Sequence, residues 1–235
     1  MIRFAAPNCQ NCPSYHRNLL HCCSHAEIAS VSEEKTSEHY DAGQVIFREG
    51  NRSAGLYCVH EGKIKLAKLG GDGKEQIIRL ARSGDVLGYQ ELVSDTSHSL
   101  SAIALSSCTV CLIPRQVFFH HLHTNLQFSN ALMQLLAYTL VQTEVRMLHL
   151  AYKPVRERLA ETLLLLLHTY GTEGDSAPFT MAITREDLGA LMGTTKETTT
   201  RMLSDFKQEG LLTTKGSAIT ITAPQQLLKI ATQFD

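Results

Sequence analysis

The sequence predicts an α+β chain in three parts: an N-terminal antiparallel β sandwich of jelly-roll type, one long helix, and a small helical domain closed by a β-hairpin. Three observations predict it. Short β-like runs punctuated by glycine fill residues 36–114, a heptad-spaced apolar seam follows, and two short capped helices precede an alternating hairpin near the C-terminus. The chain has 235 residues, 43% hydrophobic and 19% charged, with a formal net charge of −1. That is enough apolar mass for a real core. It excludes a disordered charged tail, a collagen-like chain and a small disulfide scaffold.

Residues 1–30 are rich in cysteine and histidine. Cys9, Cys12, Cys22 and Cys23 fall here, while Cys58, Cys108 and Cys111 lie far away. The opening MIRFAAPNCQNC has no apolar stretch of the signal-peptide kind. The longest apolar run, LLLLL over 163–167, is far short of the roughly 20 residues that span a bilayer. A soluble cytoplasmic protein with no membrane contact is expected. Disulfides rarely persist in that compartment, and seven cysteines do not pair off. The N-terminal cluster therefore reads as metal-binding or redox-active. One arrangement is tetrahedral zinc on Cys9, Cys12, Cys22 and His25, spaced C-x2-C-x9-C-x2-H. The plain reading of Cys58, Cys108 and Cys111 is burial in strands as small hydrophobes.

Residues 31–115 form the predicted sandwich. Ile64 and Leu66 alternate with Lys63, Lys65 and Lys68, as in a half-exposed strand. It turns through GGDG over 70–73 and returns through QIIRL over 76–80, a hairpin pattern. Gly84, Asp85 and Gly88 punctuate the next runs.

Residues 116–152 form the predicted long helix, beginning near His120, His121 and His123, which read as solvated surface residues. Met133, Leu136, Leu140, Thr143, Met147 and Leu150 are spaced 3, 4, 3, 4, 3. Spacing alone admits a helix lying on its own sheet or a coiled-coil dimer contact. Lys153-Pro154 ends this helix and opens the last domain, residues 153–235. A helix over 156–170 carries the leucine run, and 171–178 read as a loop.

In the C-terminal stretch Thr184 caps a short helix running to Met192, with Asp187 reaching back. Leu188, Leu191 and Met192 form its apolar face, and Gly193 makes the turn. Thr194 is the expected cap of the next helix, with Glu197 at the capping-box position. Met202, Leu203 and Phe206 face inward, Gly210 ends the helix, and 211–222 alternate around Lys215-Gly216. Helix, tight turn, helix and β-wing is the winged helix-turn-helix plan, which lays its second helix in the DNA major groove. That helix offers Lys196, Glu197, Thr200 and Arg201 to base edges. Arginine bonds guanine bidentately, and glutamate accepts from the cytosine amino group. Arg185, Thr198 and Lys215 are placed to hold phosphates. The competing reading is a surface ion-pair ladder of Glu197, Arg201 and Asp205 at i, i+4, i+8. Charge does not decide, because residues 184–216 carry five basic and five acidic side chains.

These stretches resemble the transcription regulators grouped around the cyclic-AMP receptor protein and the fumarate-and-nitrate regulator, and the chain is closer to the latter. The resemblance runs through EGNRSAGLYCVHEGKIKL, SGDVLG, the long helix, KPVRERLAETLLLL and TREDLGALMGTTKETTTRMLSDFKQEGLLTTKGSAITI. Its most specific part is Glu-Thr-x-x-x-Arg, here Glu197-Thr198 and Arg201. It implies a cyclic-nucleotide-binding-like sandwich and a homodimer joined through the heptad seam. It also implies a two-fold symmetric promoter site on double-stranded DNA, with Glu197, Thr200 and Arg201 reading bases. The remaining implications are activation of transcription with RNA polymerase as partner, and no enzymatic role. Thr199 departs from the usual Val or Ile and brings a hydroxyl that needs a partner.

Cyclic-nucleotide binders of the family carry Gly-Glu-Leu and then Arg-Ser. Here the stretches are Gly88-Tyr89-Gln90-Glu91-Leu92 and Ser99-Leu100. Loss of the arginine removes the charge-assisted bond to phosphate, so cyclic AMP is not the expected effector. Glu91 and His98 read as surface loop residues. The resemblance further implies an iron–sulfur cluster held by Cys9, Cys12, Cys22 or Cys23, and Cys111. The gap between Cys12 and Cys22 is longer than in the family, and a longer loop closes at small entropic cost. A change at the metal site would then alter the spacing of the two recognition helices, which must reach half-sites about one helical turn apart. No motif supports haem at His60. No βαβ pattern surrounds Cys9-x-x-Cys12, and no phosphate loop, nucleophile elbow or zinc-protease motif is present.

Overall fold

A computed structural model describes residues 7–15, 18–71, 73–171 and 178–233. Asp72 of the expected turn, and 172–177 of the expected loop, lie outside the described residues. The chain forms two compact units, one of residues 1–68 and 78–141, the other of 69–77 and 142–235.

The first unit is built on two four-stranded sheets. One pairs β1 (Thr36–Tyr40), β8 (Cys108–Pro114), β3 (Gly55–Glu61) and β6 (Val86–Leu87) in that order. The other pairs β2 (Val45–Phe47), β7 (Ser101–Ala104), β4 (Lys63–Leu69) and β5 (Glu75–Arg82). The predicted hairpin is β4–β5. Side chains alternate along each strand, so every strand of the first sheet faces two ways. Cys108 and Val110 of β8 and Tyr57 and Val59 of β3 point into the sandwich, against Phe47, Ile64 and Ala102. Cys111 and Ile113, with Leu56 and Cys58, belong to a second core on the opposite face.

The N-terminal segment and four helices cover that second face. Cys9, Leu19 and Leu20 pack there beside Ile28 and Val31 of α1 (His25–Glu34). Tyr89 and Leu92 of α2 (Tyr89–Ser94) and Phe118 of α3 (Arg115–Thr124) join them. Phe128 and Leu132 of α4 (Leu126–Tyr152) complete the layer. The Tyr89 hydroxyl lies 2.8 Å from both Arg79 Nη1 and Thr139 Oγ1, tying β5, α2 and α4 at one point.

The long helix does not begin at 116. Asn125 adopts an extended conformation and separates α3 from α4. Its Oδ1 accepts from the Phe128 amide at 3.0 Å, and its Nδ2 donates to both Glu27 carboxylate oxygens at 3.1 and 3.2 Å. Glu27 also completes the capping box of α1 with Ser24. The three histidines therefore sit on α3. His120 and His123 are exposed, but His121 is buried with Nδ1 3.7 Å from Glu27 Oε1.

In the second unit, α5 (Val155–Tyr170) buries Leu159, Leu163 and Leu166, one face of the leucine run. β9 (Thr180–Ala182), β11 (Ala218–Ile221) and β10 (Leu212–Lys215) form an antiparallel sheet in the order β10-β11-β9. Between β9 and β10 come α6 (Arg185–Met192) and α7 (Lys196–Gln208), and α8 (Pro224–Ala231) packs on α5. Among the described residues no helix is long and apolar enough to cross a membrane.

Candidate functional sites

The helix-turn-helix is fixed by its caps and its small residues. The Thr184 hydroxyl accepts from the Asp187 amide at 2.9 Å and starts α6. Gly193 adopts φ +64°, which allows the turn. The cap of α7 is Thr195 rather than Thr194. The Thr194 amide bonds back to the Gly189 carbonyl at 3.0 Å, which holds Thr194 in the turn, and the Thr195 hydroxyl accepts from the Thr198 amide at 3.3 Å. Where the helices meet, a Cβ on Gly189 would lie 2.8 Å from the Thr194 carbonyl oxygen. Thr199 is wholly buried, and its hydroxyl donates to the Thr195 carbonyl at 2.8 Å, so the family's apolar position is filled without an unsatisfied group.

With Leu203 and Phe206 buried, α7 turns Lys196, Glu197, Thr200 and Arg201 outward. Among the described residues no ion pair links Arg201 to Glu197 or Asp205, so the ladder is not formed. Lys196 instead pairs with Glu186 of α6. Its own backbone amide and then the Thr195 hydroxyl hold the Glu197 carboxyl below the usual carboxylate range. Thr198 is half-buried beside its cap. Arg185 Nη2 donates to the Gly216 carbonyl at 3.2 Å, which pins the wing to α6, and Lys215 is exposed at the wing tip.

On α4 the heptad seam divides. Met133, Leu140 and Met147 are 59%, 60% and 63% exposed, and Thr143 is exposed with them. Leu136 and Leu150 are half-buried. Tyr138, Val141, Val145 and Leu148 are exposed apolar side chains on the same helix.

The cysteines fall into separate groups. Cys9, Cys12, Cys58 and Cys111 line one small cavity of about 20 Å³, together with His60 and Lys35. Cys9 begins a 3-10 turn, Cys9–Asn11, and Cys12 follows it, so both sit on the segment laid over the sheet. Cys12 Sγ lies 3.3 Å from His60 Nδ1. Cys111 Sγ lies 3.2 Å from Ser37 Oγ and 3.6 Å from Lys35 Nζ. Burial pushes the Cys12 thiol up and the Cys58 thiol well up, while the Lys35 ammonium pulls both the other way.

Cys22 and Cys23 do not line this cavity. The Cys22 thiol donates to the Leu19 carbonyl at 3.0 Å, and the Cys23 thiol is pushed up to about 12, first by burial and then by Cys22 and Glu27. His25 is exposed at the start of α1. The structure thus gathers Cys9, Cys12 and Cys111, leaves Cys22, Cys23 and His25 elsewhere, and adds Cys58 and His60. Strand parity was the available signal for Cys58, but it needs the β3–β8 pairing to be useful. Among the described residues no group of three or more His, Cys, Asp or Glu is arranged to hold a metal ion.

Glu91 and His98 are not surface residues. Both are buried, Glu91 on α2 itself and His98 after it. Glu91 Oε1 accepts from the Ser99 hydroxyl at 2.7 Å and its amide at 3.2 Å, and His98 Nδ1 lies 3.8 Å from Glu91 Oε2. The His98 ring stacks on Phe47 at 4.0 Å.

A jelly-roll sandwich, a long helix with a bare apolar strip and a winged helix-turn-helix together define a DNA-binding regulator. The family model for the cyclic nucleotide-binding domain matches residues 37–125, and that for the Crp-like helix-turn-helix domain matches 157–230. Electron transport regulator A of Shewanella oneidensis is 32% identical over 190 residues, covering 80% of this chain and 76% of that protein. The fumarate and nitrate reduction regulatory protein of Vibrio cholerae is 28% identical over 96% of this chain and 91% of its own. Among solved structures, FixK2 from Bradyrhizobium japonicum matches with TM-score 0.74 and 30% identity, over 83% of this chain and 96% of that one. The chain belongs to the Crp/Fnr family of DNA-binding transcription regulators, and these relatives are regulators rather than enzymes.

Proposed function

We propose that the protein is a homodimeric regulator that binds a two-fold symmetric promoter site and is switched by oxygen or redox state through a cysteine metal site in its first unit. The observation that carries the sensor reading is the convergence of Cys9, Cys12 and Cys111 on one cavity beside a lysine ammonium. The donor chemistry fits an iron–sulfur centre, which thiolates ligate and which would supply an oxygen-labile redox group. Burial keeps the Cys12 thiol up, the Lys35 ammonium opposing it only in part, so metal binding there goes with release of the thiol proton. A cavity of about 20 Å³ with an imidazole at Cys12 favours a second reading, a single zinc ion on the same residues. Cyclic AMP is not the effector in either case. Ser99 stands where the phosphate-binding arginine would be, and the Glu91 carboxylate already receives both Ser99 donors.

The exposed strip of α4, with Met133, Leu140, Thr143 and Met147 and flanked by Leu136 and Leu150, is the dimer contact. Glu197, Thr200 and Arg201 read bases with Lys196, while Thr198 and Lys215 hold phosphates and Arg185 sets the wing. With RNA polymerase as partner, the bound dimer activates transcription.

Anaerobic purification with metal and sulfide analysis tests the sensor. Iron with sulfide supports the cluster, stoichiometric zinc supports the second reading, and a metal-free chain that still binds DNA refutes both. For the DNA face, Arg201→Ala is expected to lose about 1–3 kcal/mol of discrimination at one base pair. Unchanged sequence preference on a panel of promoter fragments would overturn the assignment of α7.

A further inference from the structure

We propose that Cys58 is the fourth thiol of this metal site, in the place the linear sequence offers to Cys22. The inference rests on the metal-site reading above and concerns only which side chains form the site.

The argument starts from strand parity. β3 and β8 are antiparallel neighbours, and their register sets Cys58 directly opposite Cys111. Directly opposed side chains share a face, with Cβ atoms about 4.5–5.5 Å apart. The face they share is the one covered by the N-terminal segment, because both belong to the core that contains Cys9. Cys108 is also on β8, but it points into the sandwich. Parity therefore selects Cys58 and Cys111 and rejects Cys108.

The cavity makes the same selection. Its walls contain Cys9, Cys12, Cys58 and Cys111 and exclude Cys22 and Cys23. Cys22 lies against its own 3-10 turn, Leu19–Cys22, with its thiol bonded to the Leu19 carbonyl.

The arrangement is half rigid and half adjustable. Cys58 and Cys111 are fixed by the sheet ladder, which holds a ligand pair more precisely than a loop does. Cys9 opens a single 3-10 turn and Cys12 closes it, on a segment laid over that pair rather than within the sheet. As each metal–sulfur bond forms, the thiol releases its proton to solvent; a single zinc ion binds with no change of oxidation state, and a cluster takes its ferric share from ferric iron supplied with the ferrous ion and sulfide. The shared chemistry is a thiolate-bound metal centre, whether one ion or a cluster.

The test uses the full chain, loaded anaerobically either with ferrous and ferric iron plus sulfide or with zinc alone. Metal and sulfide per chain, the visible spectrum and the melting temperature are measured for wild type, Cys58→Ser and the double variant Cys22→Ser/Cys23→Ser. Cys58→Ser is expected to retain about tenfold less metal or lower still. The double variant is expected to keep the wild-type stoichiometry. A double variant that melts like wild type but loses its metal overturns the proposal, as does a metal-replete Cys58→Ser. Should Cys58→Ser fail to fold, X-ray absorption on a Cys22→Ser/Cys23→Ser/Cys108→Ser chain decides. Four cysteine-sulfur ligands per ion, or four bound thiolates per cluster, support Cys58, and three overturn it. A wild type that takes up neither metal removes the metal-site reading itself, an outcome separate from the variants.

Discussion

Gly189→Ala tests how closely the two DNA-domain helices approach. On helix propensity alone the change should stabilise α6 by about 1 kcal/mol. The packing argues the reverse. The new methyl would lie 2.8 Å from the Thr194 carbonyl oxygen and 3.2 Å from Thr199 Oγ1. An ordinary C···O contact is about 3.3 Å or longer, so the turn must move by about 0.5 Å. Overpacking of this kind costs about 1–3 kcal/mol, which leaves a net loss of about 1 kcal/mol. The larger effect falls on DNA. The displaced turn leads directly into Thr195, the cap of α7, so Glu197, Thr200 and Arg201 shift together. Each good base contact is worth about 1–3 kcal/mol, and affinity should fall about tenfold or more. Urea denaturation and fluorescence-anisotropy titration against a promoter fragment at fixed salt measure both. An alanine variant that is more stable and binds DNA like wild type would refute the close-approach argument.

Three further outcomes are expected. Tyr89→Phe removes a buried hydroxyl held between Arg79 and Thr139 and should cost about 1–3 kcal/mol in chemical denaturation; a loss below about 0.5 kcal/mol would show the link to be idle. Burial opposes ionisation of Glu91, but the neighbouring His98 and the Ser99 donors outweigh it and hold the carboxyl at about 2, against 4.5 when unfolded. The stabilisation is therefore full above pH 4.5 and lost as pH falls toward 2, to a total of about 3 kcal/mol. A wild-type minus Glu91→Gln stability difference that stays flat between pH 5 and pH 3 would contradict this. Leu140→Glu with Met147→Glu puts two carboxylates on the bare strip of α4 and should give monomers in sedimentation velocity, with dimers counting against the strip as the contact.

Much of the fold was legible because its signals are local. Alternation of Ile64 and Leu66 with lysines marked β4, and Thr184, Gly193 and Gly210 marked the limits of the DNA-reading helices. The Thr195 cap was missed by one residue because Thr194 and Thr195 are chemically alike. Two bonds separate them, from the Thr194 amide back to Gly189 and from the Thr198 amide to the Thr195 hydroxyl. The break at Asn125 was hidden for a related reason. Its cause is a partner far along the chain, Glu27, and no periodicity reports that. The cysteines show the same limit. Clustering in sequence grouped Cys22 with Cys9 and Cys12, whereas the pairing of β3 with β8 groups Cys58 with Cys111. Glu91 looked like a loop residue because the donors that satisfy it, the Ser99 amide and hydroxyl, come from eight residues further along the chain.

The joint at Asn125 has a mechanical consequence. Its amide grips Glu27, on the helix that follows the cysteine-bearing segment, and its carbonyl oxygen caps the start of α4. That helix has 27 residues and so extends about 40 Å from the joint. Within the first unit α4 runs from Leu126 to Val141, about 24 Å. A change of direction of about 5° at Asn125 would displace Val141 by about 2 Å, the size of the helix shifts that switch other regulatory proteins.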